Sequence, residues 1–218
     1  TTLVLVTKSQ AVSDFEAYRM ADRQISAEQL AGVTEARIVH TTAFALSREP
    51  ARSVILAACR QAAAAGRQVS TDFNYADKIW GGQRGEGLEV LQQLCALEAF
   101  VKVSEVDYAR LFQEEATEPR AAANRLRALG AKLVCLTLGE EGCYVLGMGA
   151  DFHLPARPVE VKDTTGAGDA FWAGFLSAYL AGYGWEDCAR AGRGLAERKL
   201  RVIGPLYGAI ELSALVTA

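Results

Sequence analysis

Histidine is scarce in these 218 residues, with only two. His40 and His153 lie far apart and neither neighbours a cysteine, so a histidine-built metal centre is not expected. The five cysteines (Cys59, Cys95, Cys135, Cys143 and Cys188) contain no Cys-x-x-Cys pair. That removes a zinc ribbon and a dithiol redox site. Their odd number and their setting in apolar runs such as Val134-Cys135-Leu136 read as buried, reduced thiols. Neither sign of charge is in excess: 23 Lys and Arg face 26 Asp and Glu, for a net charge of −3. The chain therefore carries no electrostatic footprint for nucleic acid and no pull toward an anionic membrane. The longest weakly polar stretch, 170–183, is too short to span a bilayer and contains Gly174, Ser177 and Gly182. It reads as a buried helix. A cytoplasmic protein acting on small molecules is the expectation.

Half of the residues are hydrophobic and 22% are charged, the ordinary globular mix. Strand and helix signals alternate along the chain. Residues 1–6, 36–41, 68–73, 99–103 and 132–138 read as strands. Helices are expected over 50–65, 87–97, 104–112, 119–129, 168–181 and 185–199, with Gly66 and Gly130 as stops and Ser104 as an N-cap. Segments 142–146 and 151–154 read as a hairpin around Gly147-Met148-Gly149. Such alternation implies an α/β fold with a mostly parallel sheet. Its ligand crevice would lie beyond the carboxyl ends of the strands.

One segment concentrates the chemistry: Asp163-Thr164-Thr165-Gly166-Ala167-Gly168-Asp169-Ala170-Phe171. Two glycines one residue apart permit a tight turn with exposed amides. The apolar helix that follows adds its positive dipole end. This arrangement suits an anion, and a phosphate most of all. Asp169 falls in the first helical turn. Alone, a Gly-x-Gly-Asp could be a helix start whose Asp complements the dipole; a carboxylate kept beside a phosphate could also be a general base or metal-linked group. No Gly-Lys-Ser or Gly-Lys-Thr is present, so a Walker A loop is excluded. A dinucleotide fingerprint fails because Phe171 stands where a third small residue is required.

The string 163–171 resembles the C-terminal signature of the ribokinase-like (PfkB) family of carbohydrate kinases. Leu136-Thr137-Leu138-Gly139-Glu140-Glu141-Gly142 resembles that family's turn near the nucleotide phosphates. Asp72-Phe73-Asn74-Tyr75, continuing to Trp80, resembles a stretch of the sugar-acid and fructose kinases. Tyr18-Arg19 and Ala21-Asp22 resemble the segment leaving the substrate lid. The closest likeness is to 2-keto-3-deoxygluconate kinases and fructokinases. The resemblance implies a three-layer α/β/α sandwich, with 1–24 as a lid remnant and 25–218 as an incomplete nucleotide-binding and catalytic domain. An N-terminal part is expected to be missing.

What the resemblance implies for chemistry is ATP- and Mg2+-dependent phosphorylation of a hydroxyl on a small sugar or sugar acid. Asp169 would be the general base, and the amides of Gly166, Ala167 and Gly168 the anion hole. Thr137, Gly139, Gly142 and Thr165 would serve the nucleotide. Tyr18, Arg19 and Asn74 would face the substrate with Asp169. Asp107 would act on magnesium indirectly. Relatives dimerise through the lid, so a homodimer is an expected partner state. The alternatives are a non-catalytic or truncated member that at most binds nucleotide, and a nucleoside or vitamin-precursor kinase of the same fold.

Three segments depart from the pattern. Ser104 and Asp107 stand where Asn-x-x-Glu is common. Ala76 stands where the sugar-acid kinases place an Arg, which weakens a carboxylate-bearing substrate. Gly192 and Gly194 occupy an Ala- and Asn-rich helix beside the adenine and are expected to loosen it. Arg190, Arg193, Arg198, Lys199 and Arg201 read as a solvated basic face. Trp80, Trp172 and Trp185 read as packing residues.

Overall fold

The computed structural model describes residues 1–8 and 13–217. They form two compact units, Thr1–Val134 and Cys135–Ala218.

The first unit opens with an antiparallel hairpin of β1 (Leu3–Lys8) and β2 (Ser13–Tyr18), Leu3 facing Tyr18. Sequence reading places no strand at 13–18, because Ser, Asp and Glu are weak strand formers. Pairing with β1 decides the matter, as context routinely does in sheets. Leu3, Val4 and Leu5 are exposed on the hairpin. Three parallel strands follow, adjacent in the order β3 (Ile38–Thr42), β4 (Gln68–Asp72) and β5 (Phe100–Ser104). The last four residues of β4 and the first four of β5 are buried, the pattern of strands covered on both faces.

Helices α1 (Ala43–Leu46), α2 (Ala51–Ala64), α3 (Asp77–Trp80) and α4 (Arg84–Ala96) occupy the crossovers. α5 (Glu105–Phe112) and α6 (Pro119–Ala128) follow β5. The expected punctuation is present. Ser104 caps α5 by accepting from the Asp107 amide at 3.0 Å, and α6 starts on Pro119. Trp80 is fully buried, as expected of a packing residue.

β6 (Leu133–Thr137) carries the chain into the second unit. A 3-10 turn at Gly139–Glu141 leads to the antiparallel hairpin of β7 (Cys143–Gly147) and β8 (Ala150–Leu154). Met148 and Gly149 turn it with φ of 53° and 86°, the twist a two-residue hairpin turn requires. α7 (Ala167–Leu180), α8 (Trp185–Leu200) and α9 (Leu212–Val216) complete the unit. α7 is buried through Phe171, Trp172, Phe175, Leu176 and Ala178, and the Trp172 and Phe175 rings stack at 4.8 Å. All five cysteines are buried and free, as the sequence suggests. Among the described residues no helix is long and apolar enough to cross a membrane.

The glycines of α8 do the opposite of loosening it. The helix runs unbroken for 16 residues with Gly192 and Gly194 buried inside it. A Cβ on Gly192 would sit 2.8 Å from Phe171 O, and one on Gly174 of α7 would sit 2.6 Å from Ala191 O. The two helices therefore touch backbone to backbone, at a distance only glycine allows. The helix-propensity penalty of each glycine, about 1 kcal/mol, is outweighed by the close packing it permits. Gly192→Ala is expected to destabilise the protein by about 2–4 kcal/mol in chemical denaturation, through overpacking against a backbone that cannot yield. Gly85→Ala, on an exposed face of α4 with open space around it, is expected to be neutral or to stabilise by up to about 1 kcal/mol.

Candidate active site

In the second unit, the string 163–171 forms a turn that opens α7. Gly166 is the N-cap residue, with φ of 76°, a left-handed conformation that favours glycine. The Asp163 carboxylate accepts from the Thr165 amide at 3.1 Å, and Thr164 O accepts from the Ala167 amide at 3.1 Å. Of the three amides expected in the anion hole, that of Ala167 is thus engaged in closing the turn. The first amides of a helix have no intrahelical acceptor and carry the positive end of its dipole. Asp169 is exposed in this first turn. Its Oδ2 lies 3.8 Å from where a Cβ on Gly166 would be.

The last turn of α8 braces this loop. Leu200 O accepts from the amides of Lys162 at 2.8 Å and Asp163 at 3.2 Å. Further back on α8, Arg193 donates to Pro155 O at 3.1 Å, and Arg157 forms a two-pronged pair with Glu197. Thr137 ends β6, and the turn after it is anchored in the same unit. Leu138 N donates to Gly142 O at 2.8 Å, and Gly139 and Gly142 have φ of 56° and 100°. A Cβ on Gly142 would meet Leu154 O at 2.1 Å. A cavity of about 340 Å3 lies against α8, lined by Arg157, Pro158, Gly194, Arg198, Arg201 and Leu215 among others.

These contacts correct the reading of a solvated basic face for three of its five residues, while Arg198 and Arg201 are exposed as that reading has it. Lys199 is buried, Arg193 reaches a backbone carbonyl, and Arg190 pairs with Asp187 and Glu186. Arg198 and Arg201 line the cavity. The burial of Lys199 has no sequence signal, because a lysine in a last helical turn is the ordinary complement to the helix dipole.

The first unit holds a second group of expected residues. Asn74 Oδ1 accepts from the Phe44 amide at 3.2 Å, and Arg19 Nη2 donates to Phe44 O at 3.0 Å. Arg19 also bonds Ser47 Oγ at 2.7 Å, pairs with Asp22, and lies over the Phe44 ring at 3.9 Å. It is anchored in the fold, with its side chain 7% exposed. Tyr18 beside it is exposed. A cavity of about 160 Å3 is lined by Phe44, Asn74, Tyr75, Ala76, Asp107 and Arg110 among others. Phe44 and Arg110 carry no sequence signal; the fold alone places them here.

Charge is buried at this end of the sheet. Lys102 and Asp72 pair at 2.8 Å, both nearly inaccessible. The Asp107 carboxyl bonds Ser104 Oγ at 2.7 Å. Burial pushes its pKa up to about 6, against the lowering effects of the Ser104 hydrogen bond and the charges of Lys102 and Arg110. Among the described residues no group of three or more His, Cys, Asp or Glu could hold a metal alone. His40 and His153 contact Ser70 Oγ and Glu141 O respectively.

Comparison with known proteins identifies the family. The family model "pfkB family carbohydrate kinase" matches residues 1–209. The chain is 36% identical over 209 residues to an ATP-dependent 6-phosphofructokinase of Thermoanaerobacterium thermosaccharolyticum, covering 94% of this chain and 64% of the relative. A crystal structure of a PfkB protein from Polaromonas sp. matches with a TM-score of 0.78 at 26% identity, covering 100% of this chain and 71% of that one. Aminoimidazole riboside kinase from Salmonella enterica, complexed with aminoimidazole riboside and an ATP analogue, matches with a TM-score of 0.72 at 27% identity, over 83% of this chain and 61% of that one. The chain spans between about half and two thirds of the length of the curated relatives it matches. The fold is the ribokinase-like α/β fold, with a mostly parallel sheet and covering helices. By sequence match and by fold alike, this chain belongs to the pfkB family of carbohydrate kinases.

Proposed function

We propose that the chain carries the phosphoryl-transfer machinery of an ATP-dependent kinase acting on a hydroxyl of a small sugar or sugar acid. The observation that carries this reading is the left-handed Gly166 turn that opens α7 with Asp169 exposed in its first turn. Asp169 takes the proton of the attacking hydroxyl, whose oxygen forms the new bond to phosphorus. The amides of Gly166 and Gly168, aimed by the turn that Ala167 closes, stabilise charge on the transferring group. Preorganised backbone donors suit this task because they need no rearrangement as the charge develops.

ATP supplies the phosphoryl group, and magnesium, carried on its phosphates, neutralises their charge. A metal held mainly by phosphates and water needs no protein cage, and Asp107 would act on it only indirectly. Thr137, Gly139, Gly142 and Thr165 serve the nucleotide side. Tyr18 and Asn74 face the acceptor, with Arg19 holding the Phe44 wall in place.

The test is acceptor-dependent ADP release by this chain with ATP and Mg2+. The panel is fructose, fructose 6-phosphate, ribose, 2-keto-3-deoxygluconate and adenosine. Turnover with at least one sugar is expected, and release with none overturns the reading for this chain. Asp169→Asn should lower kcat by about 10²- to 10⁴-fold. As an exposed substitution it should change stability by less than about 0.5 kcal/mol.

The buried Asp107 gives a second expectation. Its pKa lies near 6 in the folded chain, above the ordinary 3.8. The folded state therefore holds the proton more tightly, and its stability falls as pH rises from about 4 to 6. The loss is about 3 kcal/mol. Asp107→Asn should melt higher than the wild type at pH 8, with the gap closing between pH 6 and pH 4 in thermal melts. A gap independent of pH would remove the buried charge as its source.

A further inference from the structure

Lys199 stands out because its placement reverses the habit of its residue type. Lysines in a last helical turn normally extend into water, where the ammonium complements the dipole at no desolvation cost. Here the side chain is only 10% exposed. Its Nζ donates to Val202 O at 3.3 Å and lies 4.0 Å from Asp163 Oδ2, itself a buried carboxylate. The stem passes under the anion-binding turn: Cε is 3.6 Å from where a Cβ on Gly166 would be. Asp169 Oδ2 approaches the same point to 3.8 Å. Lys199 and Asp169 thus flank Gly166.

A buried ammonium is costly unless it is paired and its donors are used. This one faces a carbonyl and a carboxylate, both protein groups. Its role is therefore distinct from direct contact with a phosphate. Asp163 links it to the turn, since that carboxylate accepts from the Thr165 amide while the Asp163 amide donates to Leu200 O. Resting on the kinase reading above, we infer that Lys199 is a positioning residue for phosphoryl transfer. Its charge holds the Asp163 carboxylate, and through it fixes the turn that aims the Gly166–Gly168 amides and the first turn bearing Asp169. A turn of five residues ending in two glycines has little stiffness of its own. Misplacement of a preorganised site by about 1 Å is enough to reduce turnover by about 100-fold.

The experiment removes the ammonium and then returns it. Lys199→Ala should lower kcat by about 10- to 100-fold, with the acceptor KM changed by less than about threefold. Propylammonium matches the deleted atoms and should restore at least a tenth of the lost turnover. Tetramethylammonium, which has no N–H donor, should restore none. Neither amine should raise the turnover of the wild type or of Asp169→Asn. Asp163→Asn should reproduce the loss, and the Lys199→Ala, Asp163→Asn double variant should lose little more, as expected of groups acting as one unit. Should the Ala variant fail to fold, Lys199→Met keeps the packed stem, and its kcat carries the same test.

Calorimetric binding of a non-hydrolysable ATP analogue separates this inference from the kinase reading. If the wild type shows no turnover, that reading fails for this chain. Lys199 is then judged by affinity, expected to fall at least fivefold in Lys199→Ala and to recover with propylammonium. A folded variant with unchanged kcat and unchanged affinity overturns the inference, as does a loss that propylammonium does not reverse.

Discussion

The backbone-to-backbone approach of α7 and α8 is the constraint on which the second unit depends. Gly174 lies against Ala191 O, and Gly192 lies against Phe171 O, so neither position can carry even a methyl group without moving a main chain. That contact fixes α8 relative to the start of α7, where the Gly166 turn lies. α8 then serves as a brace along its whole length. Arg193 holds Pro155, Glu197 holds Arg157, and Leu200 O takes two amides from the segment entering the turn. The turn after β6 abuts the same 154–156 segment through Gly142. One helix thus ties together the two glycine motifs that the sequence presents 21 residues apart, from Gly142 to Asp163.

The first unit is organised around buried charge instead. Asp72 ends β4, Lys102 lies opposite it in the middle of β5, and the two pair at 2.8 Å with almost no access to water. Replacing such a pair with apolar residues is often neutral or stabilising, so its presence is weak grounds for a stability role. Asp107 nearby is held at a cost, with its pKa raised by burial. Ionisable groups kept in unfavourable surroundings at the carboxyl ends of parallel strands are the pattern of a working site. Asp107 also lines the small cavity beside Asn74 and Ala76.

Much of this was legible in the sequence, and the reasons differ from element to element. The parallel strands announced themselves as short apolar runs, and α5 by its Ser104 cap. The Gly166 turn was legible because its chemistry resides in backbone amides, and glycine is the residue that lets the backbone expose them. β2 was not legible, since its residues become a strand only when β1 is paired with them. The glycines of α8 were read with the wrong sign. Propensity describes a helix alone in water, whereas Gly192 acts through what it allows another helix to do. Lys199 was hidden for a related reason. Its position in the chain has an ordinary explanation, and only burial sets it apart.

This difference also separates the parts of the candidate chemistry. Holding a phosphoryl group depends on main-chain donors and a helix dipole, which do not vary with side-chain identity once the turn is formed. The cavity of the first unit depends on side chains brought together from α1, the segment after β4 and α5: Phe44, Asn74, Ala76, Asp107 and Arg110. None of these is adjacent in sequence to all the others, and Arg19 works by bracing Phe44 through a carbonyl and a ring face. Ala76 removes a guanidinium from the wall of that cavity, while Arg110 brings one from α5. The cation lining the pocket is therefore supplied by a helix face that no strand-end motif marks. The Gly166 turn is written in the order of residues along the chain, and the cavity of the first unit only in their packing.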